Sequence, residues 1–177
     1  MHLPKGDAVR PATDAMRQAV FSSLAARVEG ARFLDLFAGS GAYGLEALSR
    51  GASGGTFVEK DARTADYIRR NIADVCRSLG RAPDDLQVVT ADATASLPGP
   101  APDLVFIDPP YELIASVGPK LFARLDELLA AKADPVVVFE MPGEEEVSVP
   151  GWTCVKRLGK GGRQPTAALF RANRALP

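Results

Sequence analysis

The stretch Phe33-Leu34-Asp35-Leu36-Phe37-Ala38-Gly39-Ser40-Gly41 constrains the fold of this chain most. An apolar run broken by one acid passes into a glycine turn and then a helical pattern, Tyr43 to Arg50, with Leu45 and Leu48 on one face. That order predicts strand, tight loop and helix. Gly39 and Gly41 let the backbone approach a ligand closely and supply N–H groups near a helix N-terminus. Counted by spacing alone, Gly39-x-Gly41-x-x-Gly44 also fits the dinucleotide fingerprint, with Glu59 twenty residues beyond Gly39. Asp35 argues against a pyrophosphate, because an acid four residues before the first glycine repels phosphate and favours an ammonium or sulfonium group.

The next strand candidates repeat the pattern. Gly55-Thr56-Phe57-Val58-Glu59 ends in an acid, and so does Leu86-Gln87-Val88-Val89-Thr90-Ala91-Asp92. The apolar run Leu104-Val105-Phe106-Ile107 is followed at once by Asp108. In a doubly wound sheet the ligand lies outside the carboxyl ends of the strands, so Asp35, Glu59, Asp92 and Asp108 fall on one edge. An acid after the second strand suits a ribose diol, and one after the third can accept from an adenine amino group. Any one of these acids reads equally well as a helix cap or a solvated loop residue. Four in phase with four strands point to a site.

Asp108-Pro109-Pro110-Tyr111 adds chemistry to that edge. Two prolines remove two N–H donors and hold Asp108 and Pro109 extended, leaving a carboxylate and a bare carbonyl as acceptors. Tyr111 supplies a flat face of the kind on which splayed-out bases stack. An exocyclic amine on a planar base fits that set.

These residues carry a resemblance. The chain resembles class I S-adenosylmethionine-dependent methyltransferases, and more narrowly the bacterial 16S rRNA guanine-N2 methyltransferase family of the RsmD type. The narrow likeness lies in Arg10-Pro11-Ala12-Thr13-Asp14 with Arg17 and Val20-Phe21, in Leu36 to Ala42, in Gly44-Leu45-Glu46-Ala47-Leu48-Ser49-Arg50-Gly51-Ala52, and in Asp108 to Tyr111. It implies S-adenosylmethionine as cofactor, no metal, and cofactor contacts from Asp35, Phe37, Ala38, Gly39, Gly41, Glu59, Lys60, Asp92, Ala93 and Asp108. It implies catalysis at Asp108, Pro109, Pro110 and Tyr111, and rRNA contacts from Arg10, Thr13, Arg17 and Tyr111. The substrate it implies is 16S rRNA or an assembling small ribosomal subunit. Two departures stand out. Met1 to Val9 holds Lys5 as its one fixed positive side chain where the family carries a basic segment, and Ala12 precedes Thr13 where the family has a hydroxyl.

Composition sets the outer limits. A chain of 177 residues, 46% hydrophobic and 24% charged, suits one soluble α/β domain over 1–177, with residues 1–30 as a substrate-side element and first helix. No apolar run is long enough for a membrane span and Met1 to Val9 has no signal-peptide core, so a cytoplasmic monomer is expected. Cys76 and Cys154 read as free thiols filling space, and His2 stands alone near the terminus. A net charge of −1 is low for a nucleic-acid binder. With Glu144, Glu145 and Glu146 in one turn and other acids on the ligand edge, Arg10, Arg17, Arg157, Lys160 and Arg163 remain as candidate phosphate contacts.

The remaining elements follow from periodicity and breakers. Thr13 is expected to cap a helix to about Arg27, with Met16, Val20 and Leu24 as its core stripe. A helix is expected from Ala62 to Leu79, a connector over Pro98 to Pro102, a helix from Pro119 to Lys132 and a buried strand over Pro135 to Glu140. Trp152 to Leu158 and Thr166 to Arg171 read as a closing antiparallel pair joined by the loop Gly159 to Pro165. The sum is a Rossmann-like fold with a mainly parallel seven-stranded sheet and helices on both faces. Two alternatives share parts of this reading: a DNA or RNA adenine-N6 methyltransferase, and an NAD-dependent or non-catalytic nucleotide-binding module.

Overall fold

A computed structural model of the chain describes residues 11–95, 97–159 and 164–173, with only the backbone described at residues 11–13. Arg10, Lys160 and Arg163 lie outside the described residues. The elements in chain order are α1 (Pro11–Leu24), β1 (Arg32–Leu36), α2 (Ala42–Ser49), β2 (Gly54–Glu59), α3 (Ala62–Leu79), β3 (Leu86–Thr90), β4 (Leu104–Ile107), α4 (Ile114–Leu128), β5 (Val136–Pro142), β6 (Trp152–Leu158) and β7 (Pro165–Ala172). They build a seven-stranded sheet in the order β3-β2-β1-β4-β5-β7-β6. The first five strands pair in parallel, and β7 runs antiparallel between β5 and β6.

Strand residues alternate between two cores, as the period of two requires. Phe33, Phe57, Phe106 and Val138 face one core with Val20, Leu24, Leu48 and Ile68, so α1, α2 and α3 cover that side. Leu34, Leu36, Val105, Ile107, Val137 and Phe139 face the other with Leu121, Phe122 and Leu125 of α4. The crossover through α4 therefore packs on the opposite face from those through α2 and α3, and the order reverses between β1 and β4. That reversal is the switch point at which open α/β sheets leave a crevice.

Local rules explain most boundaries. Asp61 caps α3 by accepting from the Thr64 N–H at 2.8 Å, and Gly80 ends it with φ 65°. Met16, Val20 and Leu24 are buried as expected. Three expectations need correction. The first helix begins at Pro11, so Thr13 lies inside its first turn rather than capping it, and Ala25–Arg27 forms a separate 3-10 turn. The fourth helix starts at Ile114 and ends at Leu128, with Pro119 inside it. Pro119 is tolerated because Gly118 before it has no Cβ to meet the ring. Cys154 is exposed, whereas Cys76 fills the core as expected. Among the described residues no helix is long and apolar enough to cross a membrane.

Candidate active site at the switch point

The glycine loop is built under tension. Phe37 has φ 59°, unusual for a side chain with a Cβ, and Gly39 and Gly41 follow with φ 52° and 80°. The Gly41 N–H donates to the Ala38 carbonyl at 2.7 Å, and the Ala38 N–H to Val58 at 3.0 Å. Asn71 of α3, 1% exposed, donates its side-chain N–H to the Ser40 carbonyl at 3.2 Å. Asn71 was not singled out in the sequence, because its role rests on a contact across 31 residues.

Asp35 sits beneath this loop rather than on it. It is 2% exposed, and its Oδ2 accepts the Gly44 N–H at 2.9 Å in the first turn of α2. Burial raises its carboxyl well above the usual range against the Gly44 hydrogen bond, and the charges of Asp108 and Glu59 add to the rise. Its part toward a ligand is a field through the loop, not an open contact. Gly44 allows the arrangement, since a Cβ there would meet Phe57 and lie 2.6 Å from Phe33.

Glu59 ends β2 half-buried, with Oε2 accepting from Gly39 at 2.9 Å and Oε1 from Asp61 at 2.9 Å. A carboxylate has about four acceptor directions, so both oxygens keep capacity for a diol. Lys60 beside it is exposed, and Ala93 is buried. Asp92 is exposed, with Oδ1 taken by the Thr94 N–H and hydroxyl at 2.8 and 2.7 Å, which together lower its pKa. Asp92 thus serves its own loop through Oδ1, and its carboxylate keeps further acceptor capacity.

At the end of β4, Asp108 is open to solvent, Pro109 is buried, and Pro110 hands its carbonyl to the Leu113 N–H at 2.9 Å. Tyr111 begins a 3-10 turn and is 49% exposed, presenting ring surface for stacking. Protein crowds Asp108 on its inner sides, and that lost solvation, with Glu140 next to it, pushes its carboxyl up to about 7. Water still reaches the group from its open side, and a bound base would displace that water.

Glu140 was not foreseen. It lies in β5, 5% exposed, and accepts the Tyr43 hydroxyl at 2.7 Å. Burial raises its pKa while Tyr43 and the positive charge of Arg17 oppose the rise. The candidate phosphate contacts are more committed than expected. Arg17 pairs with Asp14 at 2.5 Å, and Arg157 donates to the carbonyls of Pro142, Gly143 and Glu145. A recess of about 320 Å³ opens between Met141, residues 146–149 and β6 and β7, and none of the strand-end acids Asp35, Glu59, Asp92, Asp108 and Glu140 lines it.

The edge thus gathers acceptors at the carboxyl ends of β1 to β5, around a strained loop and beside a half-exposed tyrosine. A family model described as conserved hypothetical protein 95 matches residues 1–167. A curated Escherichia coli (strain K12) protein, Ribosomal RNA small subunit methyltransferase D, is 40% identical over 111 residues, 62% of this chain and 53% of that protein. The match thus spans about half of that relative's length. The Haemophilus influenzae protein of the same name is 28% identical over 160 residues, covering 88% of this chain and 80% of that one. The solved structure of "Putative methyltransferase yhhF" from Escherichia coli aligns with a TM-score of 0.80 and 27% identity, over 99% of this chain and 92% of that one.

Proposed function

The chain belongs to the conserved hypothetical protein 95 family, the RsmD-type methyltransferases, and on that premise we propose that it transfers a methyl group from S-adenosylmethionine to the exocyclic N2 amine of a guanine in 16S rRNA. The observation that carries the reading is Asp108-Pro109-Pro110-Tyr111 standing next to an acid-lined edge at the β1/β4 switch point. The substrate is 16S rRNA or an assembling small ribosomal subunit, after the names of the Escherichia coli and Haemophilus influenzae relatives. We take residues 1–177 as one catalytic unit working as a cytoplasmic monomer, with no metal required.

The residues fit the cofactor. Glu59 is the acceptor for a ribose diol, Asp92 for an adenine amino group, and the left-handed Gly39 and Gly41 keep side chains out of the way. Phe37, Ala38, Lys60 and Ala93 border the same edge. A cation bound over the loop would favour the ionised form of buried Asp35, which suits a sulfonium better than a phosphate. When bound, S-adenosylmethionine supplies a methyl group already activated by its sulfonium sulfur. The chain's own task is alignment. Asp108 and the Pro109 carbonyl accept the two amine hydrogens, which draws the nitrogen toward a tetrahedral shape and stabilises positive charge growing there. Tyr111 holds the ring by stacking. A paired guanine first leaves its helix, at a cost of roughly a few kcal/mol, so unpaired nucleotides are the cheaper targets.

The test is single-turnover methylation of an rRNA fragment carrying guanine or inosine at the target position, beside mass spectrometry of rRNA from cells with and without the protein. Guanine is expected to react and inosine, which lacks the amine, is not. Methylated inosine at that position, or unchanged rRNA in cells lacking the protein, would refute the proposal.

A further inference from the structure

We propose that Glu140 is a specificity-determining residue, accepting the N1–H of the guanine whose N2 amine lies on Asp108, with Tyr43 as the positioning residue that holds it. The inference rests on the functional reading above and assigns a part of that site to a residue the motif does not contain.

The sheet register brings the two carboxylates together. Ile107 of β4 pairs with Phe139 of β5, so the next residues on each strand, Asp108 and Glu140, stand side by side at the carboxyl edge. Glu140 is 5% exposed, and an almost buried carboxylate is costly unless paired. It has no ion pair with a described residue, and Arg17 acts on it only through space. Its hydrogen bond is the one from Tyr43 to Oε2, so Oε1 is left without a partner among the described residues. Glu140 is not sealed off, since 5% of it is exposed beside the solvent-exposed Asp108.

Tyr43 is itself fixed. Its ring stacks on Phe106 with centroids 5.1 Å apart and planes 20° apart, and Phe106 is the residue two before Asp108. The hydroxyl therefore holds Glu140 from a rigid platform under the same strand end that presents Asp108. Packing alone gives no reason for a carboxylate here, because an apolar residue of similar volume would avoid the desolvation.

Guanine offers adjacent donors on its Watson–Crick edge, N1–H and the N2 amine. Ionised, the two adjacent carboxyls accept and do not donate, and the two donors of a bound guanine favour that ionised form, so the pair matches that edge. Adenine presents a lone pair at N1, which would face the Glu140 carboxylate without a proton between them. The site then rejects adenine by repulsion as well as selecting guanine by hydrogen bonds.

The test compares RNA fragments with guanine or 2-aminopurine at the target position, since 2-aminopurine keeps the amine but carries a lone pair at N1. Binding is read by competition against the fluorescence of 2-aminopurine RNA without cofactor, and methylation is read separately. Wild type is expected to prefer guanine by roughly 10–100-fold in both readouts. Glu140→Gln turns an amide N–H toward the base and is expected to shrink or invert that preference. Tyr43→Phe frees the carboxylate and is expected to lower the preference while its thermal transition stays cooperative, and it carries the comparison if Glu140→Gln does not fold. Equal handling of the two bases by wild type, or an unchanged preference in the folded variants, overturns the assignment of Glu140. Absence of methylation on the guanine fragment with wild type instead overturns the functional reading.

Discussion

The Glu59 carboxylate accepts the Gly39 N–H at 2.9 Å, so the acid proposed for the ribose also fixes the glycine loop. Replacing Glu59 by Ala removes both roles. Cofactor affinity is expected to fall by about 1.5–3 kcal/mol, the worth of hydrogen bonds to a charged group. Calorimetry with S-adenosylhomocysteine checks it, with the urea midpoint as a control for folding. Wild-type affinity in Glu59→Ala would remove Glu59 from the ribose site.

Gly44 stands where Phe33 and Phe57 leave no room for a methyl group. Gly44→Ala is expected to destabilise the protein by about 1–3 kcal/mol through overpacking and to pull the Gly44 N–H from Asp35. Equilibrium denaturation measures this directly, and an unchanged midpoint would mean that the two rings can retreat.

The pH dependence has a definite sign. Burial raises the carboxyls of Asp35, Asp108 and Glu140, so each binds its proton more tightly folded than unfolded. Their ionisation costs stability, from about pH 4 upward to their folded values. Asp61, Asp92, Asp103 and Asp134 shift downward, and the stability they add is lost only as pH falls below about 4. Tm of the ligand-free protein is therefore expected to fall between about pH 5 and 8. Binding of a cation favours the ionised forms, so S-adenosylmethionine should release protons on binding, seen by calorimetry in buffers of different ionisation enthalpy. A Tm that rises across this window contradicts the assignment.

Arg17 is paired with Asp14 at 2.5 Å, its side chain only 18% exposed. Arg17→Ala alone is expected to leave the salt dependence of RNA binding nearly unchanged, whereas each true phosphate contact removed lowers the log–log slope by about 0.7–0.9. Arg10→Ala is the counterpart expected to show that loss. A full unit lost in Arg17→Ala would show that the pair with Asp14 opens on RNA.

Asp108→Ala deletes one acceptor for the amine and leaves the glycine loop in place. Single-turnover methyl transfer is expected to drop by about 10²–10³-fold while cofactor binding persists. Tyr111→Ala should cost about 1–3 kcal/mol of base stacking, and Tyr111→Phe should stay largely active. Full activity in Asp108→Ala would exclude it as the amine acceptor.

The legible parts of this protein were those set by short range. Apolar runs followed by acids marked β1 to β4, the glycine spacing marked the loop, and Asp108 to Tyr111 announced its acceptors because proline removes donors wherever it occurs. The seven strands and the closing antiparallel pair were expected and are present. The start of α4 was misplaced because Pro119 reads as a first-turn residue, while Gly118 before it lets the helix continue through. The roles of Glu140 and Asn71 were missed for a different reason. Glu140 ends its apolar run as Glu59 ends its own, a local signal, but its partner Tyr43 lies 97 residues away and Asn71 meets Ser40 across 31, so neither partnership leaves a trace in local pattern. The commitments of Arg17 and Arg157, and the burial of Asp35 beneath its loop, were likewise decided by packing. The chain by itself determined which residues stand at the strand ends. Only the tertiary structure decided which of those carboxylates water and a ligand can reach, because desolvation and partnership depend on what the rest of the sheet places beside each one.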